Sequence, residues 1–414
     1  MQSGWMSDDG EYRGPRSPVI CAVARTPVGK YRGALSDRSA VELGIHVVKG
    51  LLERAEIDPA SGIIDEVLFG QVLQAGAGQA PARQVALGAG LPKSTPATTI
   101  NKVCGSSLKA VMMAANSIRA GEYDVIIAGG MESMSNAPYF GQKISRSEFG
   151  EMKSTMVHDG LWDVYNDEHM GNTGETVAEE FEIPRYDADG FAAFSHSKAT
   201  VAWNQKWMDF EVIETPGLEL DEGVNPKMHR AYNLEGDLSM LEDMTPVFAE
   251  DGQITAGNSS QLSDGAAAVL VASEEAALAN NLEILAYVVD YCTSGVEPAR
   301  VMAAPIPAIE TLLERNKMTM DDLSFVEHNE AFAAASCAIQ IACNIPSFKF
   351  NPHGGAIAIG HPLGATGARC LMTLINALRR DKSNDSNHKP AIGGFGIVTL
   401  CLGGGNAVAM LIAV

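Results

Sequence analysis

Four positions in this chain carry side chains able to do chemistry: Cys104, Asn329, His361 and Cys401. Cys104 lies in Ile100-Asn101-Lys102-Val103-Cys104-Gly105-Ser106-Ser107-Leu108-Lys109-Ala110, between a short extended run and apolar residues at Leu108, Val111, Met112, Ala115 and Ile118. That spacing is helical, and Gly121 supplies the stop. It places Cys104 at or just before a helix N-terminus, where unpaired N–H groups and the macrodipole favour an anion. A thiol held there has a depressed pKa and is nucleophilic as thiolate. A free cysteine is also, by itself, a small buried hydrophobe, and local spacing leaves both readings open.

His361 lies in Gly354-Gly355-Ala356-Ile357-Ala358-Ile359-Gly360-His361-Pro362-Leu363-Gly364. Asn329 follows an extended segment in His328-Asn329-Glu330-Ala331-Phe332-Ala333, and Cys401 stands in Thr399-Leu400-Cys401-Leu402-Gly403-Gly404-Gly405. Cys104, His361 and Cys401 adjoin glycines that let a substrate approach the backbone. One thiol near a histidine base suits covalent acyl transfer. The second thiol is not needed for that half-reaction, so its presence implies a proton to be moved elsewhere. Taken singly, the histidine is as well explained by a structural role and Cys401 by burial.

The elements that must position these groups come round twice. Val19 to Val23 reads as a strand, followed by the turn Arg25-Thr26-Pro27-Val28-Gly29, a helix carrying Val41, Ile45, Val48 and Leu52, and an extended run from Glu66 to Val72. Leu51-Leu52-Glu53-Arg54 returns as Leu312-Leu313-Glu314-Arg315, an offset of 261, before the extended segment Leu323 to Val326. The helix after Cys104 has its counterpart at Ala368, Leu371, Met372, Ile375 and Leu378, each 260 positions on. Between Gly129 and Gly403 the offset grows to 274, and the polar segment Asp381 to Pro390 accounts for most of the excess as a surface loop.

This pattern predicts a duplicated α/β protein. Residues 16–133 with 263–283 form a first half and residues 284–414 a second. Residues 134–262 form an inserted loop domain with a helix from Asp187 to Trp203, and the strand Ala266 to Ala272 returns the chain to the first half. Strands alternating with helices imply parallel sheets covered on both faces, with ligands at strand ends.

Composition narrows the partners. The chain has 414 residues, 46% of them hydrophobic, and a formal charge of −21. That charge argues against nucleic acid and anionic membranes. No apolar run is long enough to span a bilayer. Seven cysteines without a C-x-x-C pair fit a reducing compartment rather than a disulfide framework. Met1 to Pro15 is polar and acidic without an apolar core, so a cytoplasmic location is expected.

In order and spacing, six segments resemble the thiolase family: Asn101-Lys102-Val103-Cys104-Gly105-Ser106, Ala128-Gly129-Gly130-Met131-Glu132-Ser133-Met134-Ser135, Thr255-Ala256-Gly257-Asn258-Ser259-Ser260, Asn329-Glu330-Ala331-Phe332-Ala333, Gly360-His361-Pro362-Leu363-Gly364 and Cys401-Leu402-Gly403-Gly404-Gly405. The resemblance runs from about Ser17 to the end. Asp159-Gly160-Leu161-Trp162-Asp163-Val164-Tyr165-Asn166, leading into His169-Met170-Gly171, is most similar to the short-chain acetoacetyl-CoA members.

The resemblance implies a five-layer αβαβα architecture and reversible condensation of two acetyl-CoA into acetoacetyl-CoA and CoA. Cys104 would be acylated, His361 would take its proton as general base, and Cys401 would remove the α-proton of the second acetyl-CoA. His361 and a water held by Asn329 would serve the enolate oxygen, and the N–H groups of Cys104 and Gly403 the acyl-enzyme oxyanion. At 403, a side chain larger than glycine would crowd the thioester. His169, Met170, Ala256, Ser260, Met302, Ala331 and Phe332 match positions lining the pantetheine channel. Coenzyme A thioesters enter as substrates, no cofactor or metal is implied, and a homo-oligomer, dimer or tetramer, is expected by analogy.

Departures from the family pattern fall at Ser107, Gly174, Met302-Ala303-Ala304 and Asn406-Ala407, and bear on acyl-pocket size. A longer-chain 3-ketoacyl-CoA thiolase is therefore the alternative within the class, and a thiolase-like carrier without turnover the alternative outside it. A decarboxylating ketoacyl synthase would want histidines in place of Asn329 and Cys401.

Overall fold

The chain's β-branched and small apolar runs alternate in the side of the sheet they face, and that alternation sets the layers. The computed structural model describes residues 14–224, 238–384 and 394–414. The first half supplies β1 (Pro18–Arg25), α1 (Ala40–Arg54), β2 (Glu66–Gly70), α2 (Pro81–Gly88), β3 (Ala97–Ile100), α3 (Ser106–Ala120) and β4 (Val125–Ser133). An excursion follows, with α4 (Met170–Glu180) and α5 (Arg185–Asn204), before β5 (Ser263–Ser273). The second half supplies β6 (Ala286–Gly295), α6 (Pro305–Asn316), β7 (Leu323–His328), α7 (Ala333–Ala342), α8 (Thr366–Asn384), β8 (Phe395–Leu402) and β9 (Asn406–Ala413).

The strand order is β1-β5-β4-β2-β3 in the first half and β6-β9-β8-β7 in the second. A parallel bridge from Val326 to Phe350 stands where β3 stands in the first half. The halves meet edge to edge, Val19 and Ile20 of β1 pairing with Tyr287 and Ala286 of β6. Each half thus repeats the other strand for strand.

The all-parallel expectation does not hold. β2 pairs parallel with β3 and β4, and β7 with β8, whereas β5 runs antiparallel to β1 and β4, and β9 antiparallel to β6 and β8. The reason lies in the connections. β9 follows β8 through the three-residue turn Gly403–Gly405, which only an antiparallel hairpin can use, and β5 mirrors it after the long excursion.

In β5, Ala267, Val269 and Val271 face one core, while Ala266, Ala268, Leu270 and Ala272 face another. In β9, Val408, Met410 and Ile412 join the first of these, while Ala407, Ala409, Leu411 and Ala413 turn to the far side. This is the two-residue period of a sheet buried on both faces. The shared central core holds α3 and α8, α1 and α2 cover the first half, and α6 packs on the second. The layers therefore run helix, sheet, helix pair, sheet, helix. Fully buried Leu108, Ile118, Leu371 and Ile375 sit in the middle layer, each contributing about 1.5–3 kcal/mol by leaving water.

α1 starts on a capping box, Ser39 Oγ accepting from the Glu42 N–H while Glu42 accepts from the Ser39 N–H. α3 ends at Gly121, whose φ of 75° is the left-handed stop. The segment read as a loop from Asp381 begins as helix, since α8 continues to Asn384; the rest of that reading, like all but the last two residues of the one made on Met1 to Pro15, lies outside the described residues. No helix among the described residues is long and apolar enough to cross a membrane.

Gly130 of β4 is the closest approach in this frame, because a Cβ there would lie 1.9 Å from the Gly364 carbonyl oxygen. Backbone cannot yield as a side chain would. Gly130→Ala is expected to destabilise the fold by about 1–3 kcal/mol or more, read as a lower urea midpoint with an unchanged slope.

Candidate active site

Between β3 and α3 the chain turns through Asn101–Gly105 with Val103 at φ 47°. A β-branched residue in this region is strained by about 1–3 kcal/mol. Side chains on either side hold it there. Asn101 Oδ1 accepts from the Val103 N–H at 3.0 Å, and the Ser106 hydroxyl donates to the Val103 carbonyl at 2.6 Å. Ser106 Oγ also accepts from the Lys102 N–H at 2.8 Å. The helix begins at Ser106 with Gly105 as its N-cap, so Cys104 immediately precedes the cap.

The depressed thiol pKa inferred from the helix start is overturned by the surroundings. Burial pushes the Cys104 thiol up, and Cys401 and Glu132 raise it further, against the N–H groups of Cys104 itself and of Gly403. Cys104 packs on Val72, Leu73, Met134 and Leu363, and this apolar bed outweighs a helix terminus that opens only after it.

The β8–β9 turn reaches Cys104 because of Gly105, where a Cβ would lie 2.4 Å from Leu402 Cδ2. Leu402 stands between Cys401 and Gly403, so this contact brings both toward Cys104. Cys401 is buried, its Sγ 3.6 Å from Met302 Sδ, and burial raises its thiol to about 12 against its own N–H. At Gly403 a Cβ would meet only Val103 methyls at 3.5 and 3.8 Å, ordinary contact. The protein itself leaves room for a side chain there.

His361 Nδ1 lies 2.7 Å from Thr366 Oγ1, and the Thr366 hydroxyl donates to the Pro362 carbonyl at 2.9 Å. With that proton committed, Thr366 can only accept, so Nδ1 carries the hydrogen and Nε2 offers its lone pair. Asn329 Nδ2 lies 3.4 Å from Nε2. Burial first, then the charge of Arg369, lower the imidazole to about 3. Asn329 is fully buried and its Oδ1 has no partner among the described residues, which suits a water or a ligand group.

The channel residues divide. Met170, Met302, Ala331 and Phe332 share one apolar cluster with Cys401. His169 joins it through Phe248, whose ring stacks on the imidazole at 4.7 Å and meets Phe332 edge-on at 6.0 Å. The Ser260 N–H donates to the Ala331 carbonyl at 2.9 Å. Ala256 stands apart on the exposed tip of the turn closed by Asn258 Oδ1 and the Thr255 N–H. Beside Val103 and Gly403 opens a cavity of about 330 Å³, walled by His158, Trp162, Tyr165 and Met170. Among the described residues no cluster of His, Cys, Asp and Glu could hold a metal ion.

The departures from the family pattern find local reasons. Ser107 Oγ accepts from the Ala368 N–H at 2.9 Å, tying α3 to α8. Gly174 leaves space for Ile254 and Phe332. Asn406 Oδ1 accepts from Lys102 Nζ at 3.2 Å.

Two supporting residues went unread in the sequence. Thr366 sets the tautomer of His361. Glu132, fully buried, accepts from the N–H groups of Val72, Leu73 and Gly364 at 3.0–3.1 Å and so ties the His361 loop to β4. Burial lifts its carboxyl to about 7 against those three donors. The available signal was an acid in the otherwise small and apolar run Ala128–Met134, since unpaired acids are rarely buried.

Comparison with known proteins identifies the family. Residues 18–275 match the family model for the thiolase N-terminal domain, and residues 282–414 the one for the thiolase C-terminal domain. An acetyl-CoA acetyltransferase of Pseudomonas aeruginosa is 41% identical over 404 residues, 95% of this chain and 98% of that protein. One from Cupriavidus necator is 44% identical over 401 residues with the same coverage. Among solved structures, Acat5 thiolase from Ascaris suum in complex with coenzyme A is similar with a TM-score of 0.86 and 34% identity, over 96% of this chain and 99% of that one. Human mitochondrial 3-ketoacyl-CoA thiolase in complex with CoA gives 0.87 and 33%, over 96% and 98%. The chain belongs to the thiolase family and is an acyltransferase.

Thr366→Val removes the acceptor for His361 Nδ1–H and leaves that donor buried and unpaired, a cost of about 1–3 kcal/mol. CoA release from acetyl-CoA in a single turnover should slow about tenfold or more, with little change in the substrate concentration needed for half-saturation.

Proposed function

We propose that this protein condenses two acetyl-CoA into acetoacetyl-CoA and free CoA, reversibly, through an acetyl group carried on Cys104. The carrying observation is the convergence on one sulfur: Leu402, standing between Cys401 and Gly403, packs against Gly105 next to Cys104, and the Cys104 thiol feels Cys401 and the N–H groups of Cys104 and Gly403. Two donors so placed would receive the carbonyl oxygen of a thioester formed there.

The proton inventory follows from the resting states. Both thiols are protonated and the imidazole is neutral. His361 Nε2 takes the Cys104 proton as the sulfur attacks the first acetyl-CoA, and the C–S bond to CoA breaks. The departing CoA sulfur takes the Cys401 proton, which leaves Cys401 as the thiolate. That thiolate removes an α-proton from the second acetyl-CoA, whose enolate oxygen is met by His361 and a water on Asn329 Oδ1. The enolate carbon attacks the acetyl group, the bond to Cys104 breaks, and His361 returns the proton. Protons and charge balance, and no cofactor is required.

His169, Met170, Ala256, Ser260, Met302, Ala331 and Phe332 are assigned to the pantetheine arm. The division into residues 16–133 with 263–283, 134–262 and 284–414, assembly as a dimer or tetramer, and a cytoplasmic location complete this reading. The near-full-length likeness to acetyl-CoA acetyltransferases supports the short acyl chain.

Brief incubation with acetyl-CoA should add one acetyl group to the peptide carrying Cys104; an unmodified peptide with CoA still bound would identify a carrier. Cys401→Ala should keep that acetylation and lose condensation by a factor on the order of 10² or more. Thiolysis of acetoacetyl-CoA should exceed that of a long-chain 3-ketoacyl-CoA, and the reverse order would assign the chain to fatty-acid breakdown.

A further inference from the structure

Helices α5 and α7 line a second cavity, of about 300 Å³, floored by the buried side chains of Glu330 and Phe350. That volume falls in the range of small-molecule sites. None of the residues assigned to the thioester lines it. Its link to the candidate active site is the backbone, since Glu330 stands between Asn329 and Ala331.

Four lining residues of α5 form one row: Tyr186, Gly190, Phe194 and Lys198, each a helical turn after the last. Tyr186 and Phe194 are 60% and 47% exposed, bare for aromatic side chains on a folded surface. Gly190 lies inside this 20-residue helix, where glycine is a weaker choice than alanine. Neither packing nor backbone demands it, because a Cβ there would meet nothing within 4 Å and its φ is not positive. At Gly105 and Gly130, by contrast, a Cβ would strike a neighbour. What the missing side chain leaves at 190 is a gap in the row between two aromatic residues, on the wall of the cavity.

Lys198 ends the row. Its Nζ donates to the Phe350 carbonyl at 2.7 Å, stands 5.4 Å over the Phe194 ring, and makes no ion pair among the described residues. Two carboxyl groups share the cavity with it. Glu330 is already engaged: Oε2 accepts from Ser195 Oγ at 2.6 Å and from the Ile357 N–H at 3.3 Å, and Oε1 from Asn351 Nδ2 at 2.8 Å. Asp187 is exposed, so water and salt screen it. Burial lowers the Lys198 pKa, against the pull of Glu330 and Glu327, and lifts that of Glu330. An ammonium set among aromatic side chains without a carboxylate in contact is stabilised by a ligand that brings its own anion. We propose that this cavity binds a small aromatic carboxylate, its ring seated at Gly190 between Tyr186 and Phe194 and its carboxylate on Lys198.

Cinnamate is the probe and uncharged cinnamyl alcohol its control, each titrated calorimetrically into the full chain with and without saturating CoA. The parent should bind cinnamate about tenfold or more tighter than the alcohol, and equally well when CoA is present. Gly190→Leu puts a good helix former in the gap and should weaken both probes by about tenfold or more. Lys198→Met keeps the stem, removes the charge, and should bring cinnamate down to the affinity of the alcohol. Thermal unfolding checks that both variants fold; if Lys198→Met does not, the two probes on the parent still test the charge. Absence of cinnamate binding to the parent would overturn the proposal, as would its displacement by CoA, which would place the probe in the thioester channel. So would parent-like binding by Gly190→Leu, or a parent that holds the alcohol as tightly as the acid. The titration needs no turnover, so a failure of Cys104 acetylation would sink the functional reading and leave this site standing.

Discussion

Everything at this site depends on Leu402 lying against Gly105. One residue on either side of that contact sit the groups the proposed chemistry uses: Cys104 before the glycine, and Cys401 and Gly403 flanking the leucine. A methyl at position 105 would intrude to 2.4 Å of Leu402, and the second-half turn would stand off from Cys104 of the first half. The contact is made across the middle layer, where α3 of one half and α8 of the other lie in a single core. The duplicated fold therefore does more than enlarge the core. It sets the start of one half's inner helix against the end of the other half's strand.

Much of this could be read in the residues, because it depends on periodicity and glycine. The five apolar positions of α3 and their partners 260 residues on announce the paired helices, and the glycines beside Cys104, His361 and Cys401 announce close approach. Strand direction was not legible. Nothing in Ser263–Ser273 distinguishes a strand that returns antiparallel from one that continues a parallel run, since both are buried on two faces and read as continuous apolar sequence. The Cys104 thiol was misread for a related reason. A helix terminus can be inferred from local spacing, whereas the apolar bed of Val72, Leu73, Met134 and Leu363 comes from three distant segments. Glu132 escaped for the same reason, since the N–H groups it accepts from are brought close only by folding; Thr366 is only five residues from His361, but their contact depends on the turn that opens α8.

The resting site is a set of groups held in their neutral forms. Burial raises both thiols and lowers the imidazole, so the separated charges of thiolate and imidazolium are disfavoured while the cleft holds no thioester. That arrangement protects the sulfur, since a standing thiolate would be open to oxidation and adventitious alkylation. In the proposed reaction the N–H groups of Cys104 and Gly403, which already act on the resting thiol, would need little reorganisation when charge forms.

The chain's overall charge sharpens the point about substrate capture. At −21 the protein repels a polyanionic nucleotide at long range, and screening limits that repulsion to about 8–10 Å at physiological salt. Binding must then come from contacts made inside that distance, in which apolar area and a few oriented donors outweigh the field. The wall of His158, Trp162, Tyr165 and Met170 beside Gly403 has this character. Trp162 and Tyr165 are exposed, an arrangement whose cost in water would be relieved if, as proposed, a thioester arm lay over them. The reacting centre and its entrance therefore follow one rule: groups kept uncharged or uncovered at rest become favourable only when the substrate is present.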